Sequence, residues 1–235
     1  MKIRWQIGVT FLLLAAVLLV EQFTALDVTV QNRFFDFSAG TWLLSAERNY
    51  ILHFFLYDGV KAALVALSIL VLGTFAASFK WRALRRWRYA CLLFLLTMAL
   101  VPLALAGAKK YTHMYCPYQL SLYGGYRPHF KIFEPFPADY NLSYYGKGRC
   151  FPAGHASGGF ALMCLFFCFK RRKARRWGLA AGIGLGWAMG GYQMLRGEHF
   201  LSHTLVSMLG AWLLILLIKL CMDHIKMKWP GFFEG

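Results

Sequence analysis

The chain has 235 residues, the length of one ordinary domain, but 59% of them are hydrophobic and only 15% are charged. Soluble proteins contain about 45–50% apolar residues, and here the excess is collected into long runs separated by short basic clusters. This pattern excludes a water-soluble globule and predicts an integral membrane protein. The net charge of +16 would suggest nucleic-acid binding in a soluble chain. We expect no nucleic-acid partner here, because the basic residues flank apolar runs.

Six apolar runs follow one another along the chain, and a helix needs about 20 such residues to cross hydrocarbon. They cover residues 5–23, 51–78, 89–108, 154–169, 177–195 and 203–222. Lys2 and Arg4 precede the first run as they would in a signal peptide, but no small-residue cleavage site follows, so we predict an uncleaved anchor. The fourth run is the shortest. The sequence thus predicts an all-α integral membrane protein, with one six-span domain over residues 1–235.

The basic clusters predict the direction of these spans. Lys and Arg retain loops in the cytoplasm, and most of the 26 lie at the two termini and in the loops after the second and fourth runs. We therefore expect a multi-pass protein with both termini in the cytoplasm and with membrane lipids as neighbours. The other side receives residues 24–50 and 109–152 and a short turn at 196–202. Because segment 109–152 mixes Gly and Pro with many aromatics, we predict a loop-rich cap there.

Six cysteines divide between the two environments. Those in or near apolar runs, where cysteine behaves as a small hydrophobe, are Cys91, Cys164, Cys168 and Cys221. Cys116 and Cys150 lie on the predicted outer side, where an oxidising compartment favours disulfides. We predict that these two are joined. The sequence has no cysteine spacing typical of a metal site.

Polar residues at membrane depth are costly and therefore indicate function. They are concentrated at three places on one predicted face: Lys109 with its neighbour, CFPAGHASGG at 150–159, and YQMLRGEHFLSH at 192–203. In the second place, Pro152 and Gly154 are typical of a helix start whose free N–H groups bind an anion. The same residues also suit simple close packing of helices. These three segments are the candidate site.

His199 and His203 are four residues apart and share one helix face, with Arg196 on the preceding turn. Three interpretations remain open. In the first, one imidazole attacks phosphorus while the other imidazole holds the attacking ring in place. In the second, the two are only interfacial histidines. In the third, both bind zinc, and the third ligand comes from Glu198, Asp58 or His155.

Together the three segments resemble the signature of the type 2 phosphatidic acid phosphatase superfamily. That signature reads Lys, six residues, Arg, Pro; then Pro, Ser, Gly, His; then Ser, Arg, five residues, His, three residues, Asp. This chain has Lys109 before Cys116 and Pro117, then PAGH at 152–155, then His199 and the residue four positions beyond it. The order of the motifs and the six predicted spans both fit the family.

The resemblance implies a role for each matched residue. Lys109 contacts the phosphate and Gly154 offers backbone amides. His155 is the general acid for the leaving group, and His199 is the nucleophile that forms a phosphohistidine. No cofactor and no metal are implied.

The implied activity is hydrolysis of a lipid-linked phosphate or diphosphate on the outer face of a bacterial inner membrane. Relatives of this kind act on undecaprenyl diphosphate, phosphatidylglycerol phosphate or lipid A phosphates. Two alternatives stay open: a lipid phosphotransferase with the same intermediate, and a catalytically silent membrane binding or structural protein.

The chain departs from the signature at Cys116, Ala153, Gln193 and His203, where the family has Arg, Ser, Arg and Asp. We expect Arg149 and Arg196 to replace the missing cations, and Ser157 to supply a hydroxyl. The family's Asp orients the nucleophile. We expect His203 to accept that hydrogen bond instead, with Asp58 as the alternative source of the charge.

Overall fold

The structure is a computed structural model that describes residues 2–45 and 47–233. The two ends of the predicted 1–235 domain, together with Ala46, lie outside the described residues. The described residues are mainly helical, and the one small sheet among them is the antiparallel pairing of Phe35–Asp36 with Thr41–Trp42. The predicted helical class is therefore confirmed.

The N-terminal part contains two long helical segments with a β-hairpin between them. Its elements are α1 (Ile3–Phe23), α2 (Leu26–Gln31), a 3₁₀ turn (Asn32–Phe34), β1 (Phe35–Asp36), β2 (Thr41–Trp42), α3 (Tyr50–His53), a π-helical turn (Phe54–Gly59) and α4 (Val60–Lys80). Because α3, the π-helical turn and α4 run on without a break, they form one helix of 31 residues, Tyr50–Lys80.

The middle of the chain contains one long helix followed by a long loop. Its elements are α5 (Arg82–Arg85), α6 (Arg88–Ala108), two 3₁₀ turns (Pro117–Gln119 and Ser121–Tyr123) and α7 (Leu142–Tyr145). Residues 109–153 are thus loop-rich, as their composition predicts. Their position on the outer side of a membrane stays a prediction.

The C-terminal part supplies the helices that carry the histidine motifs. Its elements are α8 (Gly154–Ala161), a 3₁₀ turn (Leu162–Cys164), α9 (Leu165–Cys168), α10 (Arg172–Leu195), α11 (Leu201–Lys228) and α12 (Pro230–Phe233). Helix α8 begins two residues after Pro152, so this proline precedes the helix instead of lying in its first turn as predicted.

Four helices among the described residues are long and apolar enough to cross a membrane, and they coincide with four of the six predicted spans. They are Ile3–Phe23, Tyr50–Lys80, Arg88–Ala108 and Leu201–Lys228. The predicted fourth span is a shorter apolar stretch, Gly154–Cys168, interrupted by a 3₁₀ turn. The predicted fifth span lies in α10, whose many glycines and basic first turn lower its hydropathy. Six spans therefore stay a prediction.

Helices α6, α8, α10 and α11 form the centre of the bundle, while α4 packs on α6 and α1 packs on α11. The contact between α8 and α10 depends on glycine. A Cβ on Gly159 would lie 2.7 Å from the Cα of Gly186, so the two backbones touch without intervening side chains. Buried apolar residues fill the remaining space, among them Phe94, Val101, Phe160, Ala211 and Ile215. This packing sets the spacing of the helix ends that carry the candidate site.

Candidate active site

The end of α6, the start of α8 and the turn between α10 and α11 meet at one end of the bundle. We call this region the histidine end and define it by Lys109, Gly154, His155, His199 and His203. These residues come from all three signature segments. Packing of the four central helices therefore joins motifs that are far apart in sequence.

Hydrogen bonds fix the start of α11 to its surroundings. The Asp27 carboxylate accepts a hydrogen bond from the Ser202 backbone N–H at 2.9 Å and another from the Ser202 hydroxyl. The Ala153 N–H donates to the His203 carbonyl at 3.2 Å, and the Ser207 hydroxyl donates to the carbonyls of Ala153 and His203, each at 2.9 Å. Burial raises the pKa of the Asp27 carboxyl, although both Ser202 bonds oppose the rise. The two histidine-bearing segments are thereby held at fixed separation.

His199 and His203 form a buried pair. Their Nδ1 atoms are 3.4 Å apart, and only 3% of His199 and none of His203 is exposed. Because both rings meet through Nδ1, one neutral ring donates its Nδ1–H and the other accepts it. The His203 ring is enclosed by the edges of Phe151 and Phe200, and its Nε2 has no hydrogen-bond partner within the described chain. The arrangement in which His199 donates leaves the His199 Nε2 lone pair free for chemistry.

Burial lowers the pKa of His199 well below its usual range, and the neighbouring His203 and Lys109 lower it further. An imidazole whose pKa is lowered stays neutral at and below neutral pH. A neutral ring is the form that has a lone pair for nucleophilic attack. The electrostatics therefore suit a nucleophile, without a carboxylate beside the ring.

A disulfide joins Cys116 and Cys150, with their Cα atoms 5.2 Å apart. The Cys150 sulfur lies 3.3 Å from the His199 Nδ1, so the cross-link packs directly against the nucleophile candidate. Cys116 stands where the family signature has Arg. At this position the chain therefore has a covalent bond that shapes the site in place of a cation.

Lys109 lies over the start of α8. A Cβ on Gly154 would be 3.1 Å from the Lys109 Cε and 3.3 Å from its Nζ, so the glycine permits this approach. Burial lowers the pKa of the Lys109 ammonium, and the Glu198 carboxylate opposes the shift. An ammonium beside the first turn of a helix, whose N–H groups have no partner within the helix, is an arrangement that suits an anion.

His155 faces a group of residues that the sequence analysis did not assign to the site. Its ring centroid is 6.3 Å from that of His199, and its Nε2 is 3.4 Å from the Tyr57 hydroxyl. The Lys61 ammonium lies 3.5 Å from the Tyr57 ring centroid, and the His53 ring stacks on the Tyr57 ring with a centroid distance of 4.8 Å. The sequence signal that could have revealed this group is the presence of His53, Asp58 and Lys61 in the apolar run 51–78.

The π-helical turn explains how this group converges. His53 and Asp58 are five residues apart, and the His53 Nε2 lies 3.9 Å from the Asp58 carboxylate. A π-helical turn has i to i+5 hydrogen bonds, which bring such a pair to one face. Such turns occur frequently at functional sites. The π-helical turn therefore indicates that the first turns of the helix Tyr50–Lys80 belong to the candidate site.

The turn between α10 and α11 carries a second charged group at the edge of the site. An Arg196 Nη atom lies 3.5 Å from the Glu198 carboxylate, and the other Nη lies 3.5 Å from the His53 Nδ1. Burial raises the pKa of Glu198, while Arg196 and Lys109 lower it. Gly197 has φ +72°, and a Cβ there would overlap the Trp42 ring, so only glycine fits this turn. The turn sets the direction in which the chain enters α11.

Among the described residues, no hydrogen bond or ion pair joins Arg149, Ser157 or Asp58 to His155, His199 or His203. Arg149 is exposed and makes no hydrogen bond or ion pair with the residues that the structure describes. Ser157 is buried, and its hydroxyl donates to the Gly154 carbonyl at 2.6 Å, so its proton is already used. Asp58 is 57% exposed and lies beside His53. His203, and not Asp58, is the partner of His199 in this structure.

One group of possible metal ligands occurs among the described residues. The sulfurs of Cys116 and Cys150 and a ring nitrogen of His199 lie within 4.8 Å of one another. Because the two sulfurs are bonded to each other, they do not act as two thiolate ligands. The zinc sets considered from the sequence, each built on His199 with His203, do not form such a group within residues 2–45 and 47–233.

A family model described as PAP2 superfamily matches residues 89–226, which is more than half of the chain. The matched range begins in α6 and ends in α11, so it contains every residue that defines the histidine end. Comparison with the curated proteins and with the solved structures gave no match. The family match thus agrees with the resemblance read from the three motifs.

Proposed function

The chain belongs to the PAP2 superfamily, and on this premise we propose that it is a membrane phosphatase that hydrolyses a lipid-linked phosphate or diphosphate. The observation that carries the proposal is the buried pair of His199 and His203 beside Lys109 and His155. Family membership supports a phosphatase-type activity. The apolar helices that surround the site favour an amphiphilic substrate.

In the first step the His199 Nε2 attacks phosphorus, and the bond between phosphorus and the leaving oxygen breaks. The electron pair of that bond goes to the oxygen, which takes a proton from protonated His155. Lys109 and the N–H groups at the start of α8 stabilise the charge on the three remaining phosphoryl oxygens. The products of this step are the free alcohol or phosphate and a phosphohistidine.

In the second step water attacks the phosphohistidine. Neutral His155 takes a proton from the water, the phosphorus–nitrogen bond breaks and its electron pair returns to the His199 Nε2. Inorganic phosphate leaves, and His155 is protonated for the next cycle. His203 accepts the Nδ1–H of His199 throughout and so keeps the reacting nitrogen directed at phosphorus. No metal takes part in either step.

The histidine end should face away from the cytoplasm. The opposite end of the bundle carries Arg86, Lys170 and Arg171, and we call it the basic end. Helices α6, α10 and α11 each run between these two ends. The positive-inside rule puts the basic end and both termini in the cytoplasm. The resemblance to bacterial lipid phosphatases is the reason to propose the bacterial inner membrane as the location. Undecaprenyl diphosphate, phosphatidylglycerol phosphate and lipid A phosphates are the substrate classes to compare.

The test is a panel of these lipid phosphates, assayed on purified protein with and without a chelator. We expect phosphate release that the chelator does not reduce, and a loss of at least about 10³-fold in His199→Ala, because that change removes the nucleophile. His224→Ala is the matched control, since His224 is an exposed histidine near the other end of α11. It should retain full activity.

Three outcomes would contradict the proposal in different ways. Equal phosphate release by His199→Ala and His224→Ala would rule out the phosphohistidine mechanism. Labelled phosphate that appears on a second lipid, and not in water, would show a phosphotransferase. If no lipid phosphate is consumed and no label is trapped on His199, the chain is a silent binding or structural protein.

A further inference from the structure

A cavity of about 690 Å³ opens at the basic end, between the start of α6, the end of α9, the start of α10 and the end of α11. Its charged lining residues are Arg86, Lys170, Arg171 and Lys226. None of the described residues that line it is acidic. The cavity therefore carries a concentrated positive charge, far along the bundle from the histidines.

Aromatic rings form much of the remaining wall, and they include Trp87, Tyr89 and Phe169. The Arg86 guanidinium lies 5.7 Å from the Trp87 ring centroid, and the Lys226 ammonium lies 5.9 Å from that of Tyr89. Each cation is thus held against an apolar wall. A wall of rings beside several cations suits an amphiphile with one anionic group better than a small hydrated anion.

Asp223, a carboxylate bonded to the cavity wall through Tyr89, already has a cation of its own. Asp223 accepts a hydrogen bond from the Tyr89 hydroxyl at 2.7 Å and another from the Lys219 ammonium at 2.6 Å. Arg86, Lys170 and Arg171 make no ion pair with the described residues, so these three cations can contact an anion that enters the cavity.

We propose that this cavity binds the headgroup of an anionic phospholipid, with the phosphate between Arg86, Lys170 and Arg171 and the acyl chains against the aromatic wall. The cavity lies where two spanning helices, α6 and α11, reach the basic end, which is the level of lipid headgroups. A neighbouring cavity of about 760 Å³ shares Phe167, Phe169 and Lys170 with it and gives the chains room to continue. This site does not depend on the phosphatase reaction.

The test titrates the full chain in neutral detergent with phosphatidylglycerol or with phosphatidylcholine and measures the lipid-bound fraction by native mass spectrometry. We expect saturable binding with a preference for phosphatidylglycerol. Removing two lining cations, Lys170→Gln with Arg171→Gln, should weaken that binding by roughly thirtyfold. The matched control is Arg172→Gln with Lys173→Gln, which removes the same charge from neighbouring exposed positions outside the cavity. It should change affinity by no more than about twofold.

Equal weakening by both double variants would overturn the proposal, because it would mean diffuse attraction to a basic surface. Competition by inorganic phosphate as effective as that by the lipid would also overturn it, since the site would then be one for small anions. Equal affinity for phosphatidylglycerol and phosphatidylcholine would overturn it too, since the cavity would then not recognise an anionic headgroup. Arg86→Gln removes a cation from the opposite wall and provides a second variant if the Lys170 and Arg171 pair does not fold.

Discussion

The two ends of the bundle use similar side chains in opposite ways. At the histidine end, the ionisable groups are mostly buried and held by specific contacts, such as the His199–His203 bond and the Asp27 bonds to Ser202. At the basic end, cations such as Lys170 are exposed and surround an open aromatic cavity. In a buried site without water, each polar contact is directional and strong. Exposed charges are screened, so they attract an anion mainly through their total charge. Chemistry is therefore expected at the first end and lipid contact at the second.

One cation at the basic end behaves like the groups at the histidine end. Arg88 is only 7% exposed, and it donates to the Ser78 hydroxyl at 3.0 Å, the Ser78 carbonyl at 2.8 Å and the Phe232 carbonyl at 2.9 Å. It ties the C-terminal α12 to the end of α4. A buried, fully bonded cation is thus structural here, so burial alone does not identify a catalytic group. The histidines differ because they also lie near Lys109 and the start of α8, the proposed phosphate site.

The largest effect that separates the two ends is expected from His155→Ala. Loss of a general acid should lower kcat/KM by about 10²–10⁴-fold for a lipid phosphate, whose alkoxide leaves poorly without a proton. A substrate with an acidic phenol as leaving group needs no such proton and should lose much less. Assays of both substrates on the same preparations check this. Equal losses on the two substrates would mean that His155 only positions the phosphate.

The disulfide gives the next largest effect. Changing Cys116→Ser together with Cys150→Ser opens a loop with a sequence separation of 34, and it should lower the free energy of unfolding by about 3 kcal/mol. Phosphate release should fall as well, because the Cys150 sulfur packs on His199. Thermal unfolding and activity are the measurements. Cys221→Ser, at an exposed free cysteine, is the control and should change neither. Phosphatidylglycerol binding at the basic end should survive in both variants.

The pH dependence of the reaction tests the electrostatics of the His199 pair. Burial and the neighbouring His203 lower the pKa of His199, so the wild-type rate should persist on the acid side of the usual imidazole range. His203→Asp puts an anion beside the ring, favours the imidazolium and raises the pKa of His199. The acid limb of the kcat/KM profile should therefore move to higher pH. An unchanged limb would show that another group controls it.

The smallest effect is expected from Gly154→Ala. The added Cβ would lie 3.1 Å from the Lys109 Cε, so the flexible side chain must shift by a few tenths of an ångström, and kcat/KM should fall by about threefold to tenfold. Gly184→Ala is the matched control, since a Cβ there meets nothing within 4 Å. Steady-state kinetics of the two variants measure the difference. If Gly154→Ala and Gly184→Ala have similar kcat/KM values, Lys109 does not contact the phosphate.

The long helices were the part of the fold that the sequence predicted best. Four uninterrupted apolar runs are long helices in the structure, because hydrophobic length is a local property that composition records directly. The fourth and fifth runs were harder to interpret. A 3₁₀ turn separates α8 from α9. Helix α10 has low hydropathy because it contains many glycines, and one of them lets Gly159 approach Gly186. Packing between helices, which hydropathy does not record, decided these two elements.

The candidate site was predicted only in part. The motifs indicated Lys109, His155 and His199 because their order and spacing are a linear pattern. The motifs did not indicate the contacts of Tyr57 with His155 or of Asp27 with Ser202, which join residues 98 and 175 positions apart. The role expected of Ser157 as a substitute hydroxyl stays a prediction, and the motifs did not indicate that this hydroxyl donates to the Gly154 carbonyl within its own helix. A side chain's partner depends on three-dimensional packing that spacing alone does not specify.

The sequence by itself determined that this protein is apolar, helical and a member of its superfamily, since 59% hydrophobic residues and ordered motifs are readable without a fold. The clustering of its basic residues, which give a net charge of +16, also indicated basic loops. Only the tertiary structure decided which group stands beside His199, which cations line a cavity and which one, Arg88, is structural. The physical reason is that hydropathy sums over neighbours in the chain, whereas hydrogen bonds and burial depend on neighbours in space.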